Sequence, residues 1–179
     1  MPFPESRCVL RTLTLLLAAL VAGCAQIPDG LTAVDGFESD RYLGKWYEIA
    51  LLDHRFERGL EQVTATYSAR QDGGIDVLNR GFDTARGEWQ EAQGRAKFSG
   101  APGTAMLKVS FFGPFYGGYN VLDLDPEYQI ALVAGPTRDY LWILARRPDP
   151  PRAEVERLVR RAGELGFDAA SLIFVTHEQ

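Results

Sequence analysis

The sequence predicts an all-β protein, an eight-stranded up-and-down antiparallel barrel followed by one C-terminal helix and a short terminal strand. Three observations carry this. Eight short strand-like runs follow one another, separated by turn residues. The single helical pattern comes after all of them and never alternates with them, which argues against a parallel α/β sheet. The chain has 179 residues, 46% of them hydrophobic, which fits one domain.

The first 23 residues read as a processing segment and are kept out of the fold. Arg7 and Arg11 precede an apolar stretch over 13–22 that is too short for a comfortable membrane span. Then comes Leu-Val-Ala-Gly-Cys at 20–24, with small Ala22 and Gly23 before Cys24. This resembles a bacterial lipobox. The resemblance implies cleavage before Cys24, diacylation of its sulfur and acylation of the new terminus, and several chains on one residue give stable anchoring. Ala25 after the cysteine, where Asp would favour inner-membrane retention, points to the outer membrane by the same analogy. Cleavage removes Cys8 and leaves only Cys24, so the folded part is expected to have no disulfide, thiol nucleophile or cysteine metal site.

Residues 24–36, with Pro28, Gly30 and Gly36, read as the acylated terminus and a tether, and 37–179 as the folded domain. The expected barrel spans about 45–147. Its strands are placed at 45–54, 62–71, 74–82, 88–98, 105–112, 116–125, 128–134 and 140–147. Gln-Asp-Gly-Gly at 71–74 is a hairpin signal, because its residues tolerate positive φ. Asp-Pro-Glu-Tyr at 125–128 is a turn with proline well placed. The longer connection Arg-Phe-Glu-Arg-Gly-Leu-Glu at 55–61 is a flap candidate at one rim. Prolines at 148–151 and Val155, Leu158, Val159 and Ala162 at helical spacing predict a helix over about 151–165, ended by Gly166. Its apolar side, with Tyr47, Ile49 and Leu51 as the partner surface, is expected to pack on the outside of the barrel. The segment 171–179 reads as the last strand.

A net charge of −5 argues against a nucleic-acid partner. The densest basic stretch, at 152–161, has interleaved acids and reads as a solvated helix face. Catalytic signatures are missing from the sequence, and His54 and His177 lie far apart without metal-ligand spacing, so they read as surface or rim residues. No catalytic residue, metal or cofactor is expected. A barrel of this size encloses room for one small ligand. Alternation puts Val63, Ala65 and Tyr67 on one face of a strand, and Ala92, Gly94, Ala96 and Phe98 on one face of another. The second set is small and predicts space inside. By the same alternation Val77, Asn79, Val109, Phe111, Tyr119 and Val121 are further ligand-wall candidates. Tyr67, Asn79 and Tyr119 would present polar atoms near the mouth.

Gly44-Lys45-Trp46 on the first strand, Thr137-Arg138-Asp139-Tyr140 before the last barrel strand, and Arg146 at its end occur in the order of the three lipocalin motifs. From about Phe37 onward the chain resembles the lipocalins, and within them the bacterial outer-membrane lipoprotein branch and apolipoprotein D. The resemblance implies that Trp46 lies across the closed base with Arg146 over its face, and that Gly44 lets the chain pass close beneath. These three are therefore structural. The same resemblance turns Tyr140, Trp142 and Leu144 inward with Arg146 and makes Trp142 the leading wall candidate. It implies a lipid-anchored outer-membrane protein with its barrel in the periplasm, binding fatty acids or (lyso)phospholipids, and it admits a homodimer. An envelope interaction protein with a filled barrel, or an enzyme on a lipophilic substrate, are the alternatives.

Overall fold

The computed structural model describes residues 26–178; the leader, Cys8 and Cys24 lie outside them. Nine strands form, β1 (Gly44–Leu52), β2 (Leu60–Ala69), β3 (Ile75–Asp83), β4 (Glu88–Phe98), β5 (Met106–Ser110), β6 (Gly117–Leu124), β7 (Ile130–Ala134), β8 (Leu141–Ala145) and β9 (Leu172–Phe174). A one-turn helix α1 (Ser39–Tyr42) precedes β1, and α2 (Arg152–Glu164) follows β8. Each strand from β1 to β8 pairs antiparallel with the next, and β8 pairs back onto β1, so the barrel closes without a free edge. The expected architecture is the one observed.

Local chemistry accounts for the punctuation. Between β2 and β3 the Gly73 φ is +78°, and Arg70 and Gly74 close the turn through a 3.0 Å backbone bond. Helix α2 ends with Gly166 at φ +81°. The Gly166 N–H donates to the Gly163 carbonyl and the Phe167 N–H to the Ala162 carbonyl, the pairing of a Schellman cap. Phe167 and Ala162 are both buried there, which supplies the apolar contact that accompanies such a cap.

Alternation sorts the apolar residues into two cores. Inside the barrel, Trp46, Ala65, Tyr67, Val77, Ala96, Leu107, Val121, Val133 and Leu144 pack together. Outside it, Leu158 and Ala162 of α2 are fully buried against the outward residues of β7 and β8, among them Leu132, Leu141 and Ile143. Tyr47 and Ile49 join this outer core, but Leu51 does not. A bulge at Ile49 sends both Ile49 and Ala50 outward and turns Leu51 opposite Trp142, so Ala50 and Leu52 take its place. Residues 26–36 are also more than a tether. Ile27 and Leu31 pack on the outer core, and Val34 exchanges backbone bonds with Val121 and Ala105.

β1 changes partner along its length. Its first half pairs with β2 through Gly44–Tyr47, and its second half pairs with β9 through Ala50–Leu52. β2 departs at a bulge where Gln62 has φ +53°, and the C-terminal segment fills the gap. Val175 donates to the Ile49 carbonyl, and Gln62 donates to the Thr176 carbonyl.

The base is closed by an aromatic plug. Trp46 is fully buried, its Nε1 donates to the Tyr42 carbonyl at 2.8 Å, and its ring lies 4.6 Å from that of Tyr42. The Arg146 guanidinium sits 4.1 Å from the Trp46 ring. It also donates to the carbonyls of Arg41 (2.7 Å), Lys45 (3.1 Å) and Tyr128 (3.2 Å). Gly44 runs beneath it at φ +94°, and a Cβ there would stand 3.3 Å from Arg146 Nη1. Gly44→Ala should therefore cost about 1–2 kcal/mol from the backbone alone, read as a lower denaturant midpoint at unchanged slope. Arg146→Met should cost about 2–3 kcal/mol, the cation–π attraction plus its carbonyl bonds.

Candidate functional site

The loops opposite the plug form the mouth. They are residues 53–59 between β1 and β2, 84–87 between β3 and β4, 111–116 between β5 and β6, and 135–140 between β7 and β8. The structure brings most of the sequence-predicted wall residues into one interior. Ala65, Tyr67, Val77, Ala96 and Val121 are buried in the inner core, and Val109, Phe111, Tyr119 and Trp142 pack on it half-buried. Val63 is buried slightly apart, against Gly81, where an added Cβ would meet its Cγ2 at 3.2 Å. Asn79 faces inward opposite Ala65, its Oδ1 buried without a hydrogen-bond partner. Tyr140 stands half-buried at the rim with its ring 6.3 Å from Trp142.

Three expectations change. Phe98 is on the inward face of β4, opposite Leu107, but stands below the interior space. It lies at the base end of β4, 41% exposed, with its ring 6.4 Å from Phe37 beside the plug. Tyr67 and Tyr119 do not offer hydroxyls near the mouth. The Tyr119 hydroxyl shares hydrogen bonds of 2.8 Å with those of Tyr42 and Tyr67, low in the barrel above Trp46. Burial pushes all three phenols upward, so each keeps its proton at neutral pH. The space expected from the small residues of β4 is also largely taken. Phe111 reaches across Gly94, where a Cβ would come within 2.8 Å of its ring. One small cavity of about 10 Å³ stays open among Tyr42, Tyr67, Ile75, Ala96, Leu107, Val109 and Tyr119. That is about the room of one water.

A polar cluster below the mouth was missed in the sequence. Glu48 lies two residues beyond Trp46 and is only 4% exposed, with Oε1 buried and without a hydrogen-bond partner. The mouth loop 53–59 folds inward over it. Glu57 Oε2 accepts a hydrogen bond from Trp142 Nε1 at 3.0 Å and lies 3.0 Å from His54 Nε2. His54 is thus a rim residue but not a surface one, 7% exposed, its ring 5.3 Å from Trp142 and 5.5 Å from Tyr140. His177 is half-buried, with Nε2 2.7 Å from the Glu48 carbonyl and its ring edge-on to Tyr47. Glu48 was readable as an acid on the Trp46 side of β1. Glu57 was not, because only the loop's fold brings it inside.

Burial, and then the adjacent Glu57 carboxyl, hold the Glu48 carboxyl well above the usual carboxylate range. The folded chain keeps a proton that the unfolded chain releases above about pH 4.3. The native state binds more protons, so stability falls as pH rises from that value through the raised native pKa. Glu48→Gln keeps the neutral form and should flatten this decline and raise Tm at the alkaline end. An unchanged Tm–pH profile would remove Glu48 from the account. Tyr119→Phe should cost about 1–3 kcal/mol by leaving two buried hydroxyls short of a partner, measured by chemical denaturation.

Comparison with known proteins agrees with this geometry. The Lipocalin-like domain family matches residues 37–177. The chain is 55% identical over 172 residues to the outer membrane lipoprotein Blc of Escherichia coli K12, covering 93% of this chain and 97% of that protein. It is 34% identical to apolipoprotein D of Rattus norvegicus, covering 76% and 80% respectively. Among solved structures, insecticyanin from the tobacco hornworm Manduca sexta superposes with a TM-score of 0.67 at 19% identity, covering 86% of this chain and 87% of that one, a likeness of fold. The ordered motifs, the Trp46–Arg146 plug, the closed eight-stranded barrel and these matches together make the chain a member of the lipocalin family, in the branch of the bacterial outer membrane lipoproteins.

Proposed function

We propose that the chain is an outer-membrane lipoprotein, acylated at Cys24, whose periplasmic barrel takes up the acyl chain of a fatty acid or (lyso)phospholipid for storage, transfer or membrane upkeep. The observation that carries this reading is an apolar interior sealed at one end by Trp46 and Arg146 and covered at the other by a single loop. Apolar cavities with a few polar groups are the usual form of small-ligand sites. The leader ending at Cys24, and relatives named as outer membrane lipoproteins, support the location. No helix among the described residues is long and apolar enough to cross a membrane.

Uptake requires the interior to open. Small-ligand pockets occupy roughly 300–1,000 Å³, far beyond the cavity of about 10 Å³ among the buried tyrosines. The loop at 53–59 would swing outward, breaking the Trp142–Glu57 bond, and Phe111 would leave its place over Gly94. An acyl chain would then fill the space with about 0.8 kcal/mol per buried methylene, set against the cost of ordering it. Trp142 would line the path as the loop lifts, and the ligand headgroup would stay among Tyr140, His54 and Glu57 at the rim.

The small cavity also favours a second reading, an envelope interaction protein whose barrel is permanently filled. One titration separates the two. Lipid-stripped protein is titrated with fatty acids and lysophospholipids of graded length, with tryptophan fluorescence followed in parallel for Trp142→Phe. Saturable binding that tightens with chain length, and a signal weakened in the variant, is the expected result. Folded, lipid-free protein that binds none of these would move the interaction reading to first place.

A further inference from the structure

We infer that the mouth end of the barrel, with the β5–β6 loop leading, lies against the phospholipid surface that carries the anchor. The inference rests on reading Cys24 as the acylated residue.

The first observation is where the exposed aromatics sit. Phe112 and Phe115, 75% and 76% exposed, are the most exposed large hydrophobic residues among those described, and both belong to the β5–β6 loop. Phe56, 59% exposed, stands on the β1–β2 loop across the mouth from them. The stretch Phe-Phe-Gly-Pro-Phe-Tyr-Gly-Gly at 111–118 carries no charged residue. In water these rings gain nothing from exposure, whereas aromatic rings settle readily at the boundary between headgroups and acyl chains. The Arg55 guanidinium, 4.8 Å from the Phe56 ring, is placed to meet phosphates at that level. Among the described residues the base has no comparable pair of protruding rings, since Phe98 is partly covered by Phe37.

The second observation is independent and concerns where the chain enters. The Gln26 carbonyl lies 2.6 Å from the position a Cβ on Gly118 would occupy, and Pro136 of the β7–β8 loop borders the same spot. Arg138 Nη2 donates to the Asp29 carbonyl at 3.0 Å and holds the segment there. From this point the chain runs toward the base, pairing at Val34 with β6 and reaching the plug at Phe37. The segment therefore arrives at the mouth end of β6, beside the β5–β6 loop. Cys24 lies two positions before Gln26, with only Ala25 between them, a reach of at most about 7 Å. An acylated Cys24 holds this rim, and not the base, next to the bilayer. A lipid moving between leaflet and barrel would then have little water to cross.

The test uses the acylated mature lipoprotein reconstituted into vesicles of phosphatidylethanolamine and phosphatidylglycerol. Once Cys24 is acylated and the leader removed, an introduced cysteine is the sole free thiol. An environment-sensitive dye is placed on Phe115→Cys at the mouth or on Ala101→Cys at the base, and quenched by nitroxide-bearing lipids or by aqueous iodide. The expected result is a blue shift and several-fold stronger lipid quenching at 115 than at 101. Equal or stronger lipid quenching at 101 would overturn the proposal. So would a dye at 115 that is shielded from iodide yet untouched by lipid quenchers, the sign of a second copy covering the mouth. If the protein floats with vesicles while neither dye is quenched by lipid, the anchor reading stands and the mouth proposal falls. Failure to float would overturn the Cys24 reading and this inference with it.

Discussion

One guanidinium over one indole organises the closed end. Arg146 covers the face of Trp46 and at the same time gathers carbonyls from α1, β1 and the turn before β7, tying three parts of the chain to one group. A lysine could supply the charge but not several directed donors from one planar group. The arrangement sets Arg146 Nη1 3.3 Å from where a side chain on Gly44 would begin, and the positive φ of Gly44 lets β1 start directly under the plug. With the floor set in this way, the interior has a single way in.

Two cores divide the work of this fold. The outer one, between α2 and the outward faces of β7 and β8, is built mainly of aliphatic residues such as Leu132, Ile143 and Leu158. It resembles the interior of any close-packed domain. The inner one is aromatic and carries polar groups at two levels, three tyrosine hydroxyls above the plug and the Glu48–Glu57–His54 group below the mouth. An unpartnered buried carboxyl oxygen is costly, and such a group in the inner core is where rearrangement meets least resistance. The scaffold can keep its shape on the outer core while the inner one changes its packing.

The sequence made much of this legible and some of it not. Alternation located every barrel strand to within a few residues, because a strand with one face on a core must alternate. The plug was legible through the resemblance, which ties Gly44 and Trp46 to Arg146 across a hundred residues. Leu51 was misplaced because a one-residue bulge at Ile49 reverses parity, and nothing in an apolar run marks which residue is the extra one. Phe98 and Tyr119 were assigned to the right face but the wrong height, since strand stagger sets depth and alternation does not report it. Gly94 looked like empty space until Phe111 was seen to occupy it from the neighbouring hairpin. His54 and Glu57 depend on the path of a loop, where neither periodicity nor propensity applies.

The split pairing of β1 has a bearing on how the chain reaches its shape. β1 contacts β2 nearby in sequence, but its other partners, β8 and β9, come from the far end of the domain. Ring closure must draw together segments about a hundred residues apart, and entropy is spent before those contacts can repay it. Partial folding therefore leaves the mouth half of β1 as an open edge, a template for another strand. Docking of β9 caps that edge, making the C-terminal segment the cover that keeps this half of β1 from pairing with another chain.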